Sequence, residues 1–264
     1  MLEAPIRLIS PRPQRAGCPL FVFLPGMDGS GQLLRTQLSG LSQRFDIRCL
    51  ALSTQNNWSW RKLVERVVDL IDQTGHHRHR TPVYLCGESF GGCLALQVAV
   101  HAPQIFDRLI LVNPASSFRR LPWMRFGAAL SPWLPAPLHS LGQFGIVPFL
   151  IAANRVAGED REALWQAMSA VPPQTASWRL ELLNQFDVGR LPIESIEQPV
   201  LLIAGKADSL LPSADEAQRL AKRLPRAQVL LLPHSGHACL LEAQVNLYEL
   251  MQAADFLPAP RSRR

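Results

Sequence analysis

Residues 82–101 constrain the fold more than any other stretch of the chain. An apolar run, Val83 to Cys86, reads as a short buried strand, and Gly87-Glu88-Ser89-Phe90-Gly91 follows at once. Gly92 to His101 then carries apolar residues at helical spacing. Gly-x-Ser-x-Gly between a strand and a helix is a nucleophile elbow, as opposed to a plain glycine turn. The turn forces Ser89 into a strained backbone conformation and lifts its hydroxyl clear of the sheet. A Cβ at Gly87, Gly91 or Gly92 would clash with the neighbouring strand or helix. Ser89 also stands at a helix N-terminus, where free N–H groups and the helix dipole favour developing negative charge.

Around this stretch the chain alternates strand and helix. Strands are expected at Leu20–Leu24, Ile47–Leu52, Arg108–Asn113, Pro199–Gly205 and Ala227–Leu232, with a further short one at Ile6–Ile9. Helices are expected over Gln32–Gln43, after the capping Ser59 (Leu63, Val64, Val67, Val68 and Ile71 at helical spacing), over Ser213–Leu224 and over residues 239–254. This rhythm predicts an α/β fold, a mostly parallel sheet covered by helices on both faces. The rhythm stops at Pro114. Residues 115–195 hold no good buried strand but carry Trp123, Trp133, Trp165 and Trp178 with Phe118, Phe126, Phe144, Phe149 and Phe186, interrupted by prolines. A linker is not this aromatic, so the segment reads as an inserted helical cap on a core built from residues 1–114 and 196–264.

Composition narrows the setting. A chain of 264 residues that is 47% hydrophobic has ample material for one core. The net charge of +6 could suit nucleic acid or an anionic membrane, but it comes without a long basic run, so an ordinary basic soluble protein with no nucleic-acid partner is expected. The five cysteines make no CxxC and no Cys/His metal spacing, and Cys49 and Cys86 read as buried small hydrophobes, so a reducing compartment is expected. The run His76-His77-Arg78-His79-Arg80 has no accompanying carboxylate or cysteine and reads as a solvated loop. No metal or organic cofactor is called for. The first twenty residues lack the apolar core of a signal peptide, and no apolar stretch is long enough to span a bilayer. The expectation is a cytoplasmic protein, peripheral to membranes at most. Arg119, Arg120, Trp123 and Arg125, among Leu121, Met124 and Phe126, would supply the membrane contact; packing of these aromatics onto the core is the competing reading.

A serine hydroxyl needs a base within hydrogen-bond reach, and the base needs an acid to set its tautomer. In this architecture the order along the chain is Ser, acid, His. Asp208 sits beyond the carboxyl end of the strand ending near Gly205, ahead of its neighbour Asp215 as the acid. His237 follows the last strand after Gly236, ahead of His234 as the base. Parallel strands bring both loops to the sheet edge that carries the elbow. The oxyanion donors are expected to be the backbone N–H groups of Phe90, next to the nucleophile, and Met27, in the glycine-rich loop Pro25–Gly31. That loop lacks the Gly-Lys-Ser/Thr ending of a P-loop. Glu88 is expected to point away from Ser89. Glu242 is expected on the closing helix, solvated or locally paired.

The chain resembles an α/β-hydrolase, and more narrowly the hydrolase half of the phytyl ester synthase or esterase/lipase-like acyltransferase group. The resemblance is carried by Phe23 to Gly31, Gly87 to Leu96 and Leu111 to Phe118, with support from Gly205-Lys206-Ala207-Asp208 and Gly236 to Glu242. It covers most of residues 20–245. It implies Ser89, Asp208 and His237 as a triad, and ester chemistry on long-chain acyl groups and isoprenoid alcohols. Plant members continue into a second, acyltransferase-like domain with a His-x-x-x-x-Asp motif, which this sequence lacks, so hydrolysis is expected ahead of synthesis.

The resulting expectation is a serine esterase or lipase-like hydrolase acting on small-molecule or lipid esters. Asp28, Trp123, Trp133 and Phe149 are expected to line its pocket. The alternatives are an acyltransferase that makes fatty acyl esters of phytol or other lipid alcohols, and a non-catalytic ligand binder on the same scaffold.

Overall fold

The computed structural model describes residues 6–54, 57–76, 81–122, 124, 149–152 and 154–257. Seven strands form one sheet: β1 (Arg7–Ile9), β2 (Leu20–Leu24), β3 (Asp46–Ala51), β4 (Val83–Glu88), β5 (Arg108–Val112), β6 (Val200–Gly205) and β7 (Ala227–Leu232). Their order is β1-β3-β2-β4-β5-β6-β7. Only the edge strand β1 runs antiparallel, against β3; every other pairing is parallel.

Side chains alternate across the sheet and feed a core on each face. Along β2, Leu20, Val22 and Leu24 join one core, while Phe21 and Phe23 join the other. Both faces are covered, which is why the central strands read as continuous apolar runs. Helix α2 (Trp60–Gln73) starts at Ser59, whose hydroxyl accepts from Lys62 N–H at 3.4 Å. Helix α3 (Phe90–His101) is buried around most of its circumference and packs between α2 and β4. Helix α6 (Ser213–Ala221) packs on β6 and β7, in the same core as α2 and α3.

Two expected helices differ. Residues 32–43 form a 3₁₀ helix, Gln32–Gln37, and a single turn, α1 (Leu38–Leu41). Residues 239–254 split into a 3₁₀ turn, Cys239–Leu241, and α7 (Leu247–Ala253). One buried side chain ties the two segments together. Gln37 Nε2 donates to the carbonyls of Leu240 (2.7 Å) and Val245 (2.8 Å), and its Oε1 accepts from Leu247 N–H at 2.7 Å. Asn246 then caps α7 by accepting from the N–H groups of Tyr248 and Glu249.

Between β5 and β6, the described residues hold no strand of the sheet. They form a 3₁₀ helix (Ala115–Arg120), α4 (Gly158–Ser169) and α5 (Pro173–Gln185). α5 is tied to the loop after β3: Trp178 Nε1 donates to the Trp58 carbonyl and Trp60 Nε1 to the Leu182 carbonyl, each at 2.8 Å. No helix of the described residues is long and apolar enough to cross a membrane.

Candidate active site

The chain turns from β2 to β3 on one side and to β4 on the other. A crevice therefore opens beyond the carboxyl ends of β2 and β4, where open α/β sheets place their ligands. Ser89 follows β4 and opens α3 with φ 53° and ψ −114°. For a residue with a Cβ this is a strained backbone, held by its neighbours. Ser89 N–H donates to the Val112 carbonyl at 3.0 Å, and its own carbonyl accepts from Gly92 N–H at 2.9 Å and Ala115 N–H at 3.0 Å. The tight turn demands glycine at 91, where a Cβ would stand 2.0 Å from the carbonyl oxygen of Leu24.

Ser89 Oγ lies 2.8 Å from His237 Nε2, and His237 Nδ1 lies 2.7 Å from Asp208 Oδ2. The side chains of His237 and Asp208 are almost fully buried, at 3% and 1% exposure. Asp208 Oδ1 accepts from the N–H groups of Leu210 (2.9 Å) and Leu211 (3.0 Å), and Oδ2 also accepts from Ser213 Oγ at 2.5 Å. Burial pushes the Asp208 carboxyl up, but the His237 charge and the hydrogen bonds from His237, Ser213 and Leu211 outweigh it and hold the group below its ordinary value. An ionised Asp208 accepts from His237 Nδ1–H, which leaves the Nε2 lone pair facing the serine hydroxyl. This arrangement can deprotonate Ser89 as it attacks. The rivals Asp215 and His234 are exposed.

Two residues whose roles sequence reasoning missed hold the histidine loop. Asn113, just after β5 with φ 41°, is fully buried. Its Nδ2 donates to the carbonyls of His237 (2.6 Å) and Gly236 (3.1 Å), and its Oδ1 accepts from Gly205 N–H at 2.8 Å. Glu242 is not on the closing helix and not solvated. It is 1% exposed and accepts from Ser235 Oγ (2.8 Å), Gly236 N–H (2.7 Å) and Arg155 Nε (2.7 Å). The 3₁₀ turn at Cys239–Leu241 ends at Glu242, which turns its carboxylate inward.

The Pro25–Gly31 loop passes against Ser89: a Cβ built on Gly26 would lie 3.6 Å from Ser89 Cβ. Phe90 is the first residue of α3, so its N–H has no acceptor within the helix. Its ring stacks on Trp60 with centroids 5.2 Å apart. Met27 is half-buried and packs on the core. Asp28 is buried and accepts from Ser30 N–H (2.8 Å) and Ser30 Oγ (2.5 Å). It also faces a cavity of ≈ 500 Å³ whose walls include Ser30, Leu33, Leu52, Arg35 and Ala163. Glu88 is buried, and burial followed by the Asp28 charge pushes its carboxyl up to about 8. Burial pushes the thiols of Cys86, Cys93 and Cys239 well above their ordinary range and that of Cys49 to about 12, so these four are poor nucleophiles.

Of the expected pocket residues, Phe149 is described and is 55% exposed; Trp123 and Trp133 lie outside the described residues. Arg119 is paired with Asp187 and Arg120 with Glu216, each at 3.0 Å, so these two guanidiniums are engaged within the protein. Trp123, Arg125 and Phe126 of the expected membrane contact lie outside the described residues, as do residues 77–80 of the His-Arg run. His76 is half-buried, with Nδ1 3.1 Å from Thr74 Oγ1 and Nε2 3.7 Å from Asp46 Oδ2.

Residues 21–249 match the alpha/beta hydrolase family model. The chain belongs to the alpha/beta hydrolase family. Among curated relatives of this hydrolase, "Phytyl ester synthase 1, chloroplastic" of Arabidopsis thaliana is 30% identical over 257 residues. The alignment takes in 89% of this chain and 36% of the synthase, so the chain spans about a third of that relative's length. A "Putative carbamate hydrolase RutD" of Pseudomonas savastanoi pv. phaseolicola is 28% identical, over 86% of this chain and 90% of its own. In fold, the hydrolase is similar to the crystal structure of MGS-M2, an alpha/beta hydrolase enzyme from a deep-sea metagenome library. The TM-score is 0.75 at 18% identity, with 98% of this chain and 97% of that one covered.

Proposed function

We propose that this hydrolase cleaves carboxylic esters, with medium- to long-chain acyl or isoprenoid esters as its substrates. The observation that carries the reading is the buried chain Ser89–His237–Asp208, with contacts of 2.8 and 2.7 Å in sequence. Ser89 Oγ attacks the acyl carbon while His237 Nε2 takes its proton. The N–H groups of Met27 and Phe90 hold the oxyanion, and Asp208 stabilises the imidazolium. Collapse of the tetrahedral intermediate expels the alcohol, which leaves with the proton from His237. Water then attacks the acyl-serine, giving its proton to His237 and releasing the acid as the proton returns to Ser89.

In this reading residues 115–195 form the cap over the crevice. The test is hydrolysis of p-nitrophenyl acyl esters from C2 to C16, wild type beside Ser89→Ala. Activity should peak above acetate and vanish in the variant. A folded wild type that cleaves no chain length and does not react with a fluorophosphonate would refute the reading.

The name of the Arabidopsis relative supports a second reading, in which an alcohol such as phytol replaces water at the deacylation step. Phytol added to the same assay should then lower free acid and yield the phytyl ester. Unchanged acid release with no new ester leaves hydrolysis alone.

A further inference from the structure

We propose that Arg179 is the positioning residue of the oxyanion loop, a guanidinium carried by α5 that clamps the Met27 carbonyl and thereby orients the Met27 N–H. The inference rests on the reading that Met27 supplies an oxyanion donor.

Arg179 is fully buried, among the largest side chains to be so. On α5 it shares a face with Thr175, Ala176, Leu182 and Leu183, all buried, so the helix brings a cation into what is otherwise a packing surface. Its Nη1 donates to the Met27 carbonyl at 2.5 Å, and Nη2 approaches the Ser53 carbonyl at 3.5 Å. Burial draws the guanidinium down to about 10, and the charge of Asp28, the next residue of the loop, opposes this. A buried cation with one short charge-assisted bond and a neighbouring carboxylate costs desolvation, and hydrophobic residues would pack α5 at least as well. What the cation adds is a fixed direction for one carbonyl.

The loop is built around it. Gly29 has φ +63°, and a Cβ there would lie 2.4 Å from Arg179 Nη2, so the chain can wrap the guanidinium only as glycine. Gly29 N–H closes a turn onto the Gly26 carbonyl at 3.1 Å, and the Gly29 carbonyl accepts from Leu52 N–H at 2.8 Å. These bonds fix the two ends of the turn. Met27, at its apex, is held through its carbonyl by Arg179 alone among the described residues. The Gly26 carbonyl shares its peptide plane with the Met27 N–H, and the Met27 carbonyl lies in the next plane, so the turn bond and the Arg179 bond together restrain the N–H that the proposed function aims at the space above Ser89. Because Arg179 lies between β5 and β6, a residue outside the sheet's own loops controls the geometry of the oxyanion site.

The experiment compares wild type with Arg179→Lys, Arg179→Met and the charge-balanced double variant Arg179→Met with Asp28→Asn. The readouts are kcat and KM on a p-nitrophenyl ester, the rate of Ser89 phosphonylation by a fluorophosphonate, and the affinity for a trifluoromethyl ketone. The ketone forms an oxyanion on Ser89, whereas the ground-state ester does not. Loss of loop position should lower kcat, phosphonylation and ketone affinity together by about 10- to 100-fold, with KM changed less than about 3-fold. Arg179→Lys should recover part of the loss. Wild-type phosphonylation and ketone affinity in folded Arg179→Met would overturn the assignment, as would an effect confined to KM. Failure of every variant, Lys included, to fold would assign Arg179 to the fold and not to the loop, and would also overturn it. A wild type inert to the fluorophosphonate sinks the Ser89 reading itself and is distinct from these outcomes.

Discussion

The side-chain amide of Asn113 holds the main-chain carbonyl of His237 at 2.6 Å. Asn113 follows β5, whereas His237 follows β7, two strands away in the sheet. Because Asn113 Oδ1 also accepts from Gly205 N–H, one amide ties the loop that carries Asp208 to the loop that carries His237. The distance between Asp208 and His237 is thus set partly by a residue that touches neither side chain.

Asn113→Asp keeps the acceptor for Gly205 but turns the donor into an oxygen facing two carbonyls. Asn113→Gly keeps the positive φ and loses the tie altogether. Both are expected to lower kcat by about 10- to 100-fold with little change in KM, because a shift of about 1 Å in a catalytic group costs about 10². Steady-state kinetics on a p-nitrophenyl ester measure this. Wild-type kcat in Asn113→Gly would show that the histidine loop needs no such tie.

Asp208→Asn keeps the shape of the acid but lets the His237 tautomer invert. The expected loss is about 10⁴ in kcat, with the fold retained, because the wrong nitrogen then faces Ser89. Kinetics beside a thermal melt would test this. A loss below tenfold would transfer the acid's role to another carboxylate.

Glu88 makes stability depend on pH. Its folded value is about 8, against an ordinary 4.5, so between these two the folded protein holds a proton that the unfolded chain has released. Its contribution is full below about 4.5, declines as pH rises, and has been lost once pH passes about 8. Asp208 has the opposite sign: its depressed value stabilises at neutral pH and is lost on acidification. Because Glu88→Gln removes only the first term, melting temperatures from about pH 5 to about pH 9 should fall more steeply in wild type than in the variant. Parallel curves would mean that Glu88 titrates as an ordinary surface acid does.

Gly91→Ala would place a methyl 2.0 Å from the Leu24 carbonyl oxygen and 2.6 Å from that of Pro25. Both are rigid backbone at the end of β2, so no rotamer change relieves the clash. The expected cost is about 3 kcal/mol or more, a fall of roughly 10 °C in melting temperature for a chain of this size. A variant that melts with wild type would require an elbow that can open.

The sheet was legible because its strands are buried on both faces. Val83–Cys86 or Val200–Ala204 can hardly be anything else when glycine turns and helical spacing surround them. Ser89, Asp208 and His237 were legible because strand ends and their order along the chain locate them. The helices at 32–43 and 239–254 were misread because local spacing carries no trace of Gln37, which reaches across to Leu240, Val245 and Leu247 and ties the two segments together. Glu242 read as a closing-helix carboxylate, solvated or locally paired, for the same reason: its distant partner Arg155 meets it only after folding, while Ser235 and Gly236 are near in sequence. Arg179 did leave a signal, a lone cation on the apolar face of Thr175, Leu182 and Leu183, but a surface stem with its head in water reads the same way.

The contact between Ser89 and His237 joins residues 148 positions apart. It needs β5, β6 and β7 in place beside β4. Such long-range closures come late in folding, after their loop entropy has been met. Recovery of reactivity towards a fluorophosphonate during refolding therefore times the completion of the whole sheet, and should lag the return of helical signal from α2 and α3.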